Sequence, residues 1–317
     1  MKRILCLILV LLMLLPMTGC DGGQQSDKLQ VICTVFPQYD WVRNIVGETD
    51  GVELTLLMDN GADLHNYQAS VADLTDIAAC DLFIYVGGES DEWADEALED
   101  PINKNRKALA LLEVIDDPIC ADHDHDHDHE HEHEEHEGED YDEHLWLSLK
   151  NADKAVERIT ELLKELDPDH AATYQTNSLK YRTELINLDT EYLQTVTGGV
   201  RKTMVFADRF PFAYLARDYG LTYHAAFSGC SAETEASFAT ITKLAGELDG
   251  NNLPCVMVIE TSDQSIAKTV IKNSKNQNRE IVVMDSLQAV TQKRIDDGET
   301  YLSVMKKNLE ALKKALY

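Results

Sequence analysis

One helical segment constrains this chain more than any other feature. Asp167-Pro168 offers an N-cap and a proline suited to a first helical position. The helical pattern then runs to about Val196, where Gly198-Gly199 stops it. At 1.5 Å per residue, about 29 residues span about 44 Å, longer than an ordinary globular helix. A rod of that length suits a fold in which it bridges two lobes. Both flanks read as alternating strands and helices. Before it, 29–35, 52–57 and 82–86 read as strands, and 41–46, 70–79 and 151–166 as helices. In 151–166, Ala152, Ala155, Ile159, Leu162, Leu163 and Leu166 recur at three- and four-residue steps, one face of a helix. After the rod, 204–206, 221–226, 256–259 and 281–284 read as strands, and 210–219, 232–246, 264–274 and 300–316 as helices. The run Leu82-Phe83-Ile84-Tyr85-Val86 is apolar throughout, as a parallel strand covered on both faces requires. The expected fold is therefore α/β: two parallel-sheet lobes joined by one long rigid helix. The N-terminal lobe is placed at 29–166, the linking helix at 167–198 and the C-terminal lobe at 199–317.

Two segments stand outside that alternation. Residues 121–143 hold thirteen acidic residues and seven histidines with no apolar period, and read as a disordered loop. At the N-terminus, Lys2 and Arg3 precede an apolar run that ends in Leu15-Pro16-Met17-Thr18-Gly19-Cys20. That order is a secretory signal, and the cysteine after Thr18-Gly19 makes it resemble a lipoprotein signal over 1–20, with Cys20 lipidated. Residues 21–28 then read as a polar tether. A lipid chain binds a membrane by burying CH₂ groups at about 0.8 kcal/mol each, so the rest of the chain is expected outside the cell, anchored to its membrane. The formal net charge of −29 argues against nucleic-acid binding, which depends on cations that neutralise phosphates.

Beyond Cys6 and Cys20 five cysteines remain, Cys33, Cys80, Cys120, Cys230 and Cys255. The odd number and the lack of a CxxC pair argue against a disulfide framework. Cys33 and Cys80, in apolar segments, read as ordinary buried thiols. His170 and His224 read as structural or surface residues, and Trp41, Trp93 and Trp146 as core or lobe-surface aromatics. The chain holds no phosphate-binding glycine loop, HExxH or GxSxG.

In open α/β sheets, ligands bind beyond the carboxyl ends of the strands. His65 follows the second strand-like run, Asp208 follows 204–206 and Asp285 follows 281–284. His144 stands where order resumes after the acidic loop. Imidazoles with carboxylates suit Zn²⁺, and Mn²⁺ is also open.

Several segments carry a specific resemblance. Gly61-Ala62-Asp63-Leu64-His65-Asn66-Tyr67 is similar to G-A-D-P-H-x-Y, Ala79-Cys80-Asp81-Leu82 through Gly87 to A-D-L-x-x-x-x-G, and Asp142-Glu143-His144-Leu145-Trp146-Leu147 to D-P-H-x-W-L. Together with Asp167-Pro168 and Tyr214–Leu221, they make the chain resemble the zinc/manganese solute-binding lipoproteins of bacterial ABC transporters, from about residue 30 to the C-terminus. The His-rich loop resembles the zinc members. Leu64 and Glu143 replace prolines of the family pattern.

The resemblance implies a metal cleft between the lobes, with His65 and His144 from one lobe and Asp285 from the other. The family's remaining ligand, His or Glu, falls on Arg209, whose guanidinium offers no lone pair. Asp208 is the favoured replacement, with Glu233, Glu235 or water as alternatives. Arg209 is expected to pair with Glu233 or Glu235 and turn from the metal. The histidines His123, His125, His127, His129, His131, His133 and His136 form an auxiliary metal loop that captures zinc and hands it on, releasing it as they protonate near pH 6.5. The implied function is a monomeric, non-enzymatic zinc receptor that serves an ABC permease. A manganese receptor and a surface metal buffer or adhesin-like protein are the alternatives.

Overall fold

The computed structural model describes residues 28–120, 141–229, 231 and 235–317. Four strands, β1 (Leu29–Cys33), β2 (Val52–Leu56), β3 (Leu82–Tyr85) and β4 (Lys107–Ala110), form an all-parallel sheet in the order β2-β1-β3-β4. A second set, β5 (Thr203–Phe210), β6 (Thr222–Ser228), β7 (Cys255–Ile259) and β8 (Glu280–Met284), repeats that plan in the order β6-β5-β7-β8. In each sheet the chain steps outward once and then crosses back past its first strand. The crevice at that crossing is where such sheets take ligands.

Helices α1 (Phe36–Val46), α2 (Val71–Ala79), α3 (Glu92–Glu99) and α4 (Leu149–Leu166) belong to the first half. The linking helix α5 (Ala171–Gly198) follows, about 42 Å long over its 28 residues. Then come α6 (Ala213–Tyr219), α7 (Phe238–Gly250), α8 (Ser265–Asn273), α9 (Gln292–Asp296) and α10 (Tyr301–Leu316). The α/β expectation, with two parallel sheets and a long helix, matches. Asp167 caps a short 3₁₀ turn, Pro168–His170, which runs on into α5. The helix expected from residue 232 is Phe238–Gly250, because the Ser237 side chain accepts the Thr240 N–H and starts it there. Sequence reading missed β4, α3 and α9, which are only four, eight and five residues long. Among the described residues, no helix is long and apolar enough to cross a membrane.

α5 buries Tyr174, Ser178, Tyr181, Leu185, Leu188, Tyr192 and Thr195 at alternating four- and three-residue steps, with Val196 beside the last. That stripe packs on α4 and α1 and on α10. Tyr192 is fully buried, and its hydroxyl donates to Met305 O at 2.7 Å. One continuous apolar core runs from Val31 in β1 to Leu316 in α10, so the two sheets share it through their helices. Aromatic contacts add to the seam: Trp41 of α1 meets Tyr301 of α10 edge-to-face at 5.4 Å. Buried Asp40 accepts the Tyr301 N–H at 2.8 Å. Cys33, Cys80, Cys120 and Cys255 are free thiols, and Cys33 and Cys80 are buried as expected. The signal with Cys20, the tether to Asp27, loop residues 121–140, Cys230 and Glu233 lie outside the described residues.

Candidate metal centre

The loop after β2 carries His65. Asp63 caps its short 3₁₀ turn by accepting the His65 N–H at 3.1 Å. The loop after β3 carries Ser90, held by Asp91, whose carboxylate accepts the N–H groups of Val86 and Gly87. His65 Nδ1 lies 2.7 Å from Ser90 Oγ and 3.4 Å from Glu143 Oε2. His144 arrives on the segment that follows the His-rich loop. It is fully buried, with its ring edge-to-face to Trp146 at 5.5 Å.

Asp142 accepts both the backbone N–H and ring Nδ1 of His144, each at 2.9 Å. A carboxylate can only accept, so Nδ1 carries the proton and Nε2 keeps its lone pair. The two Nε2 atoms, of His65 and His144, stand 3.3 Å apart. Two nitrogens bound to one tetrahedral Zn²⁺ at 2.0–2.1 Å are separated by about 3.3 Å. The pair therefore already has the separation that a shared ion needs.

The acidic stretch was expected to remain loop through Glu143, but Asp142 and Glu143 are buried at 7% and 2% exposure. Their backbone and carboxylates support the histidines instead. Tyr141 pairs with Cys120 across an isolated antiparallel bridge, so the stems of the His-rich loop meet beside this support. Glu143 Oε1 accepts the Ser90 N–H at 2.7 Å. Gly88, at φ +92°, allows that approach: a Cβ there would lie 2.6 Å from Glu143 Oε1.

Electrostatics favour neutral imidazole. Burial, reinforced by neighbouring His144, pulls His65 down to about 4. Asp63 opposes that shift and Arg209 adds to it. Burial also raises the carboxyl of Glu143 above its ordinary range. His65, which resists protonation, is ready to ligate, because a metal ligand must be deprotonated.

The C-terminal lobe closes the other side. Gln288, 5% exposed, sets its amide nitrogen 2.6 Å from His144 Nε2 and 3.3 Å from His65 Nε2. Trp146 donates its indole N–H to Ser286 O at 2.9 Å. Ser286 in turn donates to Glu260, a carboxyl raised by burial and by nearby Asp285. On the outer edge, Asn60 bridges to Thr291, and the Gln292 N–H donates to Asp59 O at 2.6 Å.

His65 and His144 thus converge, while the two expected carboxylates do not join them. Asp285 accepts from the Leu287 N–H and is ion-paired to Arg294. Asp208 does not follow β5 but lies within it, at the register shift between Phe206 and Arg209, and accepts the Arg209 N–H. Among the described residues, no group of three or more His, Cys, Asp or Glu side chains is gathered as a metal would need. The Arg209 guanidinium pairs with Asp63 of the opposite lobe at 3.0 Å rather than with Glu235, while Glu233, the other expected partner, lies outside the described residues. Gln288 was missed, since a lone glutamine in a loop carries no motif. His170 pairs with Asp167 at 2.7 Å and His224 with Glu247 at 3.2 Å, consistent with structural roles.

Comparison with known proteins adds the family. Residues 31–315 match the family model described as ZnuA, zinc-uptake complex component A, periplasmic. The chain is 32% identical over 314 residues to the zinc-binding lipoprotein AdcA of Streptococcus pneumoniae, covering 99% of this chain but 61% of that protein. It therefore spans about three fifths of that relative's length. It is 29% identical over 306 residues to the high-affinity zinc uptake system protein ZnuA of Bacillus subtilis, covering 94% of this chain and 91% of that one. The crystal structure of the Zn(II)-bound ZnuA-like domain of pneumococcal AdcA superposes with a TM-score of 0.72 at 29% identity, over 91% of this chain and 99% of that one.

Proposed function

The chain belongs to the family of ZnuA, the component A of zinc-uptake complexes, and we propose that it is an extracytoplasmic zinc receptor that delivers Zn²⁺ to an ABC permease. What carries the reading is the pair of Nε2 atoms at 3.3 Å, one of them on a fully buried ring, with Asp142 fixing one tautomer. On this proposal His65 and His144 are the imidazole ligands. Asp285 and Asp208 are the carboxylates that the C-terminal lobe brings to the ion, and Asp285 exchanges the Arg294 guanidinium for it. Imidazoles as the gathered ligands favour zinc over manganese.

The seven loop histidines act as a capture arm. Its stems meet at Cys120 and Tyr141, one residue before the Asp142 that orients His144. Cations bound along the arm are thus released next to the cleft. Cys20 supplies the lipid anchor, and no catalytic step is assigned.

Uptake tests the reading. A strain that lacks this chain's own gene should recover zinc uptake at scarce zinc when the chain is restored. The His65→Ala/His144→Ala variant should not restore it. A correctly exported chain that leaves uptake unrestored contradicts the receptor role and favours a surface metal buffer.

A further inference from the structure

Ligation of one ion by both rings requires a lone pair on each Nε2, and two such lone pairs 3.3 Å apart repel unless something positive lies between them. In this structure that something is the Gln288 carboxamide. One NH₂ group has two hydrogens, and it stands within hydrogen-bond reach of both Nε2 atoms, 2.6 Å from His144 and 3.3 Å from His65. The loop is held from behind: the Gln288 backbone N–H donates to Ser286 Oγ at 3.4 Å, and that hydroxyl donates to Glu260 at 2.7 Å. Gln288 belongs to the loop after β8 and the histidines to the loops of the other lobe, so the amide is also a strap between lobes. An amide nitrogen that carries two protons has no lone pair to offer a cation in this orientation.

We propose that Gln288 is a built-in competitor for the metal: its amide occupies the point on which both imidazoles converge, and zinc binds only by displacing it. The inference rests on the zinc-receptor reading. It deepens it by naming the residue that sets the affinity. Zinc must break two hydrogen bonds and loosen the strap, so Gln288 weakens the site and holds the metal-free lobes together.

The test uses the full chain. In ¹⁵N-labelled protein, the His144 ring signals report the cleft separately from the loop histidines, and chelator buffers set free zinc. Gln288→Ala should convert those signals at about tenfold lower zinc than the native chain, the equivalent of one net hydrogen bond. Gln288→Leu, closer in volume, should act in the same direction and guards against a folding defect. In the native chain the Gln288 carboxamide protons should be protected from exchange without metal and exposed once zinc is bound. Unchanged or weaker zinc binding in both variants, or protection that persists with zinc bound, overturns the inference and leaves the receptor reading standing. Zinc binding by the variants alone supports the competitor in its strongest form. Failure of every chain to convert at any zinc level overturns both.

Discussion

Asp142 holds His144 by two hydrogen bonds, and the consequence is chemical: the ring presents a lone pair at Nε2. Asp142→Asn keeps the shape and removes the charge that fixes the tautomer. Zinc affinity should fall about 10- to 100-fold in a chelator-competition titration, the usual cost of losing such a partner. Unchanged affinity would mean that the tautomer is set elsewhere. His65 makes a pH prediction. Its pKa is lowered, so the unfolded chain takes up this proton first. The His65 contribution to stability is then full above about pH 6.5 and falls as pH drops toward about 4. An NMR titration should find its ring neutral at pH 5, and zinc retained in the cleft there after the loop histidines have protonated. A midpoint near 6.5 for His65 contradicts the burial argument.

The helices and strands were largely legible, and the exceptions have physical causes. Apolar runs such as Leu82-Phe83-Ile84 announce buried parallel strands. β4, Lys107-Ala108-Leu109-Ala110, does not, because it is short, lacks β-branched residues and is half exposed. Both histidines were legible from their motifs. Gln288 and the Asp63–Arg209 pair were not, because each joins segments far apart in sequence. Burial of Asp142 and Glu143 was hidden by their likeness to the acidic stretch before them. The α5 stripe makes its own prediction. Leu185 is fully buried, whereas its neighbour Ile186, about 100° further round the helix, is 54% exposed. Leu185→Ala should cost about 2–5 kcal/mol in denaturant unfolding, and Ile186→Ala within about 0.5 kcal/mol of nothing. Equal losses would contradict the packing of the linking helix.

At the scale of the whole molecule, two sheets share one core, while the loops that meet between them carry polar partners. Arg209 near the end of β5 and Asp63 in the loop after β2 join the two lobes, with side chains only 20% and 17% exposed. Arg209 is also a fixed cation that acts on His65. Arg209→Ala should therefore tighten zinc binding by on the order of tenfold and raise the His65 pKa, since like charges repel most where water is scarce. Weaker binding would mean that the ion pair positions His65 more than its charge disfavours the metal. The most direct measurement asks whether the cleft, rather than the His-rich loop, is the receptor site. Cys120 and Tyr141 already face each other, so a short Gly/Ser linker can replace residues 121–140. Zn²⁺ and Mn²⁺ are then titrated into that protein against a competing chelator, alongside its His144→Ala variant. One tight, zinc-preferring site that the variant loses is the predicted result. No tight site, or one that survives His144→Ala, would contradict it.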